Sequence, residues 1–385
     1  MENFFYYNSS KRINCQTDRL EYFYFCGFCE KIIKTDGIYT LTDMSDEKKR
    51  ILLSVCIPTY NRPKEFERMF RGLLPQLTSE VELVIRDDSP NNKTKEVFDE
   101  LIKKFNPPVK INYVHGEKIG IDAANLFLIE NAQGKYVWWF SDDDEIMPGA
   151  VVHVLELVKK NPEITFLWIN FGFQNLSNLA VRREDGFFKD GNEVLETLGT
   201  NIGLLSTLIF NRDEATGSLI QARKHIVGFS FAGLVPILHV LSGSGRFYFL
   251  RGPYVLCHPT TIDEVKKITT KTGEIKNEGF NVYGIDFYNI VKEFEGKFKK
   301  SSIKKILAVN FASLWRGMLV GWVGGWDTPK GKRWKMFKSY WSFPEFWIAI
   351  IPFLMPLWIN KGLYKIYKLF FDHRQFRFVK KVITE

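Results

Sequence analysis

Ile51-Leu52-Leu53-Ser54-Val55-Cys56-Ile57-Pro58 is the stretch whose reading decides the fold. A short apolar run, partly β-branched and stopped by a proline, reads as a strand buried on both faces, the kind found inside a parallel sheet. Working outward, Asn61 is placed to cap a helix. Phe66, Met69, Phe70, Leu73, Leu74 and Leu77 then recur at helical spacing, which predicts a helix over Lys64–Leu77. Val81–Ile85 is a second buried strand and Lys93–Phe105 a second helix, with Val97, Phe98, Leu101, Ile102 and Phe105 on one face. Ile111–Val114, Asp122–Asn131, Tyr136–Phe140 and Ala150–Lys160 continue the alternation as strand, helix, strand and helix.

Alternating β and α elements of this length predict an α/β fold, a mostly parallel sheet with helices on both faces. Ligands bind such sheets beyond the carboxyl ends of the strands. The loops Pro58–Arg62, Asp87–Asn92 and Ser141–Glu145 all follow strands, so they are expected to meet in one crevice. Beyond about residue 165 the pattern loosens. Phe166–Phe173, Ser206–Phe210 and Phe247–Leu256 read as strands, the last followed by Cys257-His258-Pro259, and Phe231–Leu241 reads as a helix. Thr260–Glu278, rich in Lys, Thr and Glu, reads as an exposed, mobile loop.

The 385 residues suffice for one full domain and a smaller annex, and 45% hydrophobic with 25% charged residues excludes wholesale disorder. The net charge of +9 is concentrated at one end: residues 297–385 hold 18 Lys+Arg against 4 Asp+Glu, while the preceding chain is net acidic. Five cysteines, with one isolated CxxC at Cys26-Gly27-Phe28-Cys29, suggest neither a zinc site nor a disulfide framework and fit reduced thiols. Residues 1–43 mix aromatic and polar residues without clear periodicity, and no secretory signal is visible. Met44 is a possible natural start. The expected organisation is an N-terminal extension (1–47), a main α/β domain (48–260), a mobile loop and helix (261–300) and a basic, aromatic helical annex (301–385).

Three adjacent carboxylates after a buried strand, Asp142-Asp143-Asp144, repel one another unless a positive charge sits among them. A hard divalent ion, Mn²⁺ or Mg²⁺, resolves that cost with few protein ligands when a diphosphate supplies the rest. The alternative is an acidic loop capping the helix that starts near Pro148. The six histidines show no ligand spacing, and the chain has no GxSxG, P-loop or GxGxxG sequence.

Three segments taken in order are Ser54-Val55-Cys56-Ile57-Pro58-Thr59-Tyr60-Asn61-Arg62-Pro63, Val84-Ile85-Arg86-Asp87-Asp88-Ser89, and Gly134-Lys135-Tyr136-Val137-Trp138-Trp139-Phe140-Ser141-Asp142-Asp143-Asp144. They resemble the signatures of family 2 glycosyltransferases of the GT-A fold, over roughly residues 51–160. The resemblance implies a nucleotide-sugar donor bordered by Pro58, Tyr60, Asn61 and Arg62, with Tyr60 beside the base. It implies that Asp87 and Asp88 contact base and ribose; the plain reading is a turn and cap before Lys93, and both can hold. Lys118 and Asp122 fall in the stretch that borders the nucleotide, and Asn125 orients that helix. Asp143 matches the metal-binding aspartate and Asp142 the one nearer ribose or diphosphate. Asp144 joins the metal set directly or behind it, and Ser141 replaces the usual first acid.

The mechanism so implied is displacement with inversion at the anomeric carbon, the metal offsetting charge on the leaving diphosphate while a general base takes the acceptor's proton. Many relatives carry an acidic base about 90 residues after the metal motif. Here His225-Ile226-Val227-Gly228-Phe229-Ser230-Phe231-Ala232 holds no carboxylate. His225 is a candidate base with a structural role as its alternative, and Asp190, Asp213 and Asp263 are fallbacks.

Phe346–Asn360 is uncharged, aromatic, broken by Pro352 and Pro356, and flanked by lysines and arginines. It is too short to span a bilayer and reads either as an interfacial anchor on an anionic membrane or as helices packed on the main domain. An anchor would suit a glycan or lipid-linked glycan acceptor for surface polysaccharide or lipooligosaccharide synthesis at the inner face of the cytoplasmic membrane. Rival readings are a transferase to polyprenyl phosphate and an inactive nucleotide-sugar binder. Nucleic acid is disfavoured, because the tail's charges surround apolar aromatic runs.

Overall fold

The computed structural model describes residues 51–173, 176–177, 179–226, 231–258, 286–323, 338–349, 351, 358–359 and 362, together with strand segments between 12 and 42. Met44, the loop Thr260–Glu278 and Asp263 lie outside the described residues. The chain divides into two compact units, 1–51 and 52–385. In the first, β1 (Arg12–Ile13), β4 (Lys31–Thr35) and β5 (Ile38–Thr42) form an antiparallel sheet ordered β1-β5-β4, and β2 (Tyr24–Phe25) pairs with β3 (Phe28–Cys29). The stretch that lacks an evident sequence pattern thus holds short antiparallel strands.

The second unit is built on a nine-stranded sheet. Its strands are β6 (Leu53–Thr59), β7 (Val81–Asp87), β8 (Lys110–His115), β9 (Tyr136–Trp139), β10 (Glu145–Ile146), β11 (Ile164–Phe173), β12 (Gly186–Phe187), β13 (Leu208–Asn211) and β14 (Arg246–Cys257). They lie in the order β10-β14-β11-β13-β9-β6-β7-β8, with β12 on β14. β8, β7, β6 and β9 are parallel neighbours. β13 runs antiparallel between β9 and β11, and β14 is again parallel to β11. The sheet is mostly parallel and flanked by helices, as expected; the antiparallel β13 explains why the alternation fades after residue 165.

β6 and β7 are buried throughout, because helices cover both faces. α1 (Pro63–Leu73) buries Phe66, Met69, Phe70 and Leu73 and packs on α2 (Lys93–Phe105). α3 (Ile121–Asn131) packs on β6 and β7. The helix expected to reach Leu77 ends at Leu73 and tightens into a 3₁₀ turn, since Pro75 has no N–H to continue the ladder. β6, by contrast, runs through Pro58. Cys56 C=O accepts from Phe140 N–H, so the peptide groups of alternate residues, Pro58 included, face β9, which ends at Trp139. The missing N–H of Pro58 therefore costs no ladder bond there.

At the opposite edge a buried carboxylate ties three strands together. Glu82, 1% exposed, accepts from Ser54 Oγ at 2.6 Å, from Gln133 N–H at 2.5 Å and from Gly134 N–H at 3.3 Å. Gly134 has to be glycine, because a Cβ there would lie 2.7 Å from Ser54 Oγ and 2.9 Å from the Leu53 carbonyl carbon.

The basic annex packs on this unit through the helix Lys300–Val323. Ser302 Oγ donates to Glu196 at 2.6 Å and Asn310 Nδ2 to Tyr340 Oη at 2.7 Å. Phe311, Tyr340, Phe343 and Phe346 are buried around that contact, whereas Trp341, Trp347 and Trp358 are more than half exposed. No helix among the described residues is long and apolar enough to cross a membrane.

Glu82→Ala removes the common acceptor of three donors, two of them in buried hydrogen bonds, and is expected to destabilise the protein by about 2–4 kcal/mol, read as a lower urea midpoint. Glu82→Gln, which keeps an acceptor, is expected to lose less. Equal losses in the two variants would refute the role assigned to these hydrogen bonds.

Candidate active site

The carboxyl ends of β6, β7 and β9 are neighbours, so the three loops that leave them meet, and hydrogen bonds join them. Asp88 N–H donates to Thr59 C=O at 3.0 Å, Asn61 N–H to Ser89 Oγ at 2.8 Å and Thr59 Oγ1 to Asp142 Oδ2 at 2.7 Å. Asn61 does not cap α1. It adopts φ +55°, a left-handed turn that Asn tolerates, and Arg62 takes the cap position. Tyr60 stays 43% exposed, with Lys118 Nζ 4.1 Å from its ring centroid.

Asp87 and Asp88 are both buried, and each is answered by a different element. Asp87 accepts from Tyr113 Oη at 2.6 Å and Ser89 N–H at 2.9 Å. Burial, with the neighbouring Asp87, pushes the Tyr113 hydroxyl well up, so it remains a donor. Asp88 takes Arg86 Nε at 2.7 Å and the N–H groups of Ile119 and Gly120, each at 3.0 Å. Arg86 also donates to Glu117 C=O at 2.6 Å. Gly120, at φ +87°, allows the turn that aims both N–H groups at Asp88. The expected cap before Lys93 is not formed by either aspartate: Asn92 holds that position without a side-chain bond.

The acidic loop divides in two. Asp142 and Asp143 converge on one guanidinium, with Arg62 Nη1 3.3 Å from Asp142 Oδ1 and 2.7 Å from Asp143 Oδ2. Ser141 Oγ donates to Asp143 Oδ1 at 2.5 Å, and Arg68 Nη2 to the Asp143 carbonyl, also at 2.5 Å. Asp144 turns the other way: its carboxylate accepts from Ser206 Oγ at 2.6 Å and from His258 N–H at 3.3 Å. Asp144 is therefore held by the turn before β13 and the residue after β14, apart from the Arg62 contact that Asp142 and Asp143 share. Among the described residues no group of three or more Asp, Glu, His or Cys side chains is arranged to hold a metal ion. The pair Asp142–Asp143 does suit a hard cation, since oxygens of both already meet at one positive nitrogen. None of the three aspartates caps α4 (Ala150–Lys160), which begins after Gly149 without a side-chain cap.

His258 and Ser206 are site neighbours that sequence reasoning missed. β10 pairs with the end of β14, which brings His258 beside the acidic loop, its Nε2 2.8 Å from Glu145 Oε1. Its position just past a strand's carboxyl end was the available signal. Ser206 sits in the 3₁₀ turn before β13, a strand of opposite direction, and no local pattern marks it.

Other candidates lie elsewhere or are otherwise engaged. Asp122, 4% exposed, accepts from Gly233 N–H at 3.3 Å, and Asn125 is buried with its Oδ1 unpartnered. His225 contacts Glu293 at 3.1 Å, two residues after Arg223, which pairs with Glu130 near the far end of α3. Asp190 is the N-cap of the helix Gly191–Leu198, and the Glu193 N–H holds its carboxyl below the usual range. Asp213 pairs with Arg212 at 2.8 Å and is exposed. None of the contacts just given for these last three is with the acidic loop.

Burial raises the Asp142 carboxyl above the ordinary range, against the pull of Arg62. Burial, with Asp143 beside it, raises Asp144 to about 6. A carboxyl raised on folding contributes stability that is full below its unfolded value and is lost as pH rises through its folded value. The metal-free protein is therefore expected to lose up to about 3 kcal/mol through Asp144 as pH rises from about 4 past about 6. Asp144→Asn should flatten that part of the profile of melting temperature against pH. An unchanged profile would refute the assignment.

Residues 54–212 match the family described as glycosyl transferase family 2. The chain is 28% identical over 128 residues to the GalNAc(5)-diNAcBac-PP-undecaprenol beta-1,3-glucosyltransferase of Campylobacter jejuni, a match covering 33% of this chain and 40% of that protein. It is 31% identical over 103 residues to the abequosyltransferase RfbV of Salmonella typhimurium, covering 26% and 31%. The chain thus spans well under half the length of these curated relatives. Among solved structures, S. aureus TarS 1-349 in complex with UDP-GlcNAc superposes with a TM-score of 0.52 at 14% identity, covering 80% of this chain and 88% of that one. At that identity the likeness concerns the fold, and it agrees with a GT-A architecture.

Proposed function

We propose, for a chain that carries a family 2 glycosyltransferase domain at residues 54–212, transfer of a sugar from a nucleotide-sugar donor to a glycan acceptor in surface polysaccharide synthesis, with inversion. One observation carries this reading: Asp142 and Asp143 converge on a single positive group at the carboxyl end of β9, facing the loops of β6 and β7. The base of the donor would rest against Tyr60, whose ring stays accessible. Its ribose would lie near the Asp87–Asp88 turn, and its diphosphate beside Arg62 and the acidic loop. Asp142 and Asp143 would hold Mn²⁺ or Mg²⁺, which supplies positive charge to the leaving diphosphate. The acceptor oxygen bonds to the anomeric carbon as the bond from that carbon to the diphosphate oxygen breaks. The acceptor's proton passes to a base, and the nucleoside diphosphate departs.

A panel of UDP-, GDP-, CDP- and dTDP-sugars with Mn²⁺, scored by thermal shift and donor turnover, tests this. One nucleotide class is expected to raise the melting temperature, and Asp143→Ala should lower turnover about 100-fold or more. Binding without turnover on any acceptor would favour a nucleotide-sugar binder, and no binding at all would sink the reading.

The acceptor we infer is lipid-linked, reached from an anionic membrane surface. The Campylobacter relative is named for an undecaprenol-linked glycan, and this chain exposes Trp341, Trp347 and Trp358 within its strongly basic last quarter. Co-sedimentation with phosphatidylglycerol vesicles is the check. Replacing all three tryptophans by alanine should weaken binding about a hundredfold, since each withdrawn indole forfeits on the order of 1 kcal/mol. Equal pelleting of wild type and triple variant would refute this inference.

A further inference from the structure

Arg62 occupies the point that a cation between Asp142 and Asp143 would take. Its Nη1 alone meets both carboxylates, at 3.3 and 2.7 Å. The remaining oxygen of each aspartate is held independently, Asp142 Oδ2 by Thr59 Oγ1 at 2.7 Å and Asp143 Oδ1 by Ser141 Oγ at 2.5 Å. If Arg62 moved, both carboxylates would keep their aim. Arg68, one and a half turns into α1, grips the Asp143 carbonyl and Glu145 Oε1, which fixes the loop backbone without Arg62.

Arg62 also stands at the boundary of α1. It is the cap residue of α1 and not an interior one, it follows the left-handed Asn61, and its side chain is 26% exposed against 7% and 19% for its two partners. An outward swing of its side chain would break no bond of the helix ladder. A guanidinium that leaves a carboxylate pair is well received by another oxyanion, and two oxygens of a tetrahedral phosphate can match its fork as a carboxylate does.

We propose that Arg62 is the resident counter-ion of the acidic loop: it competes directly with the divalent ion for Asp142 and Asp143, and the donor diphosphate draws it away as the metal enters. This rests on reading the loop as the donor-diphosphate site. The consequence is that metal and donor each favour the other's binding, because both favour the state in which Arg62 has left the aspartates.

The test uses Mn²⁺ alone on the full chain, with free Mn²⁺ counted by electron paramagnetic resonance. Arg62→Gln is expected to bind Mn²⁺ about tenfold more tightly than wild type, within the range typical of coupled sites. Adding Asp143→Ala should abolish that gain. Arg62→Lys, which keeps a positive charge, should stay within about threefold of wild type. A second measurement needs no variant: in wild type, Mn²⁺ should raise phenylglyoxal modification of Arg62 in step with occupancy and leave Arg68 unchanged. The proposal is overturned if Arg62→Gln binds Mn²⁺ no better than wild type, if the gain survives Asp143→Ala, or if Arg62 labelling ignores Mn²⁺. No nucleotide is present in either measurement, so a failed donor panel and a failed Mn²⁺ competition are separate results.

Discussion

Asp87, Asp88, Asp142 and Asp144 are each at most 6% exposed at the carboxyl edge of one sheet. An unpaired buried carboxylate costs several kcal/mol, so each must be met by a donor or a cation from somewhere else in the chain. Tyr113 on β8 meets Asp87, while Arg86 on β7 and the turn before α3 meet Asp88. Thr59 on β6 and Arg62 at the cap of α1 meet Asp142; Ser206 before β13 and His258 after β14 meet Asp144. The strand ends are thereby laced to one another through the acids themselves. Fold and site are one arrangement here, because the crevice keeps its shape through the groups that neutralise it.

That arrangement explains what could be read from the sequence. The parallel half of the sheet is encoded locally, each strand as an apolar run and each helix as a repeating face such as Phe66, Met69, Phe70 and Leu73, so its elements and their convergence were legible. Pro58 and Pro75 show where local rules reach their limit. Both lack an N–H, yet Pro75 ends a helix while Pro58 sits inside a strand, because only the tertiary neighbour decides whether the missing donor matters. The partners of Asp144 were not legible for a related reason. Ser206 and His258 lie 62 and 114 residues away in sequence and arrive through an antiparallel insertion and a strand-end pairing that no local period announces. The division of the acidic loop, two acids toward Arg62 and one toward the sheet, was hidden for the same cause.

Of the two alternatives that the composition of the annex allowed, its described residues show packing on the main domain. Phe311, Tyr340, Phe343 and Phe346 bury one side against the unit that carries the crevice, and the Asn310–Tyr340 hydrogen bond satisfies the polar tip that such an aromatic cluster would otherwise strand. Trp341 and Trp347 interleave with these buried positions and remain exposed. Helical periodicity permits one segment to pack on the domain and to present indoles outward, so docking on the domain does not compete with an interfacial role.

The same economy applies at the acidic loop. A diphosphate approaching Asp142 and Asp143 brings negative charge to a place where burial already disfavours it, and Coulomb repulsion at a few ångströms would keep it out. Two cations can reverse that sign, one carried by the chain and one taken from solution. If Arg62 exchanges as proposed, one side chain serves both states: against the aspartates it offsets their mutual repulsion, and against phosphate it would leave them to a harder ion. Asp144, by contrast, is held by a hydroxyl and a backbone N–H that have no reason to move. The loop therefore combines one acid held by the sheet with two that share one partly exposed counter-ion, an asymmetry that would let a buried acidic turn be both a structural joint and the proposed donor site.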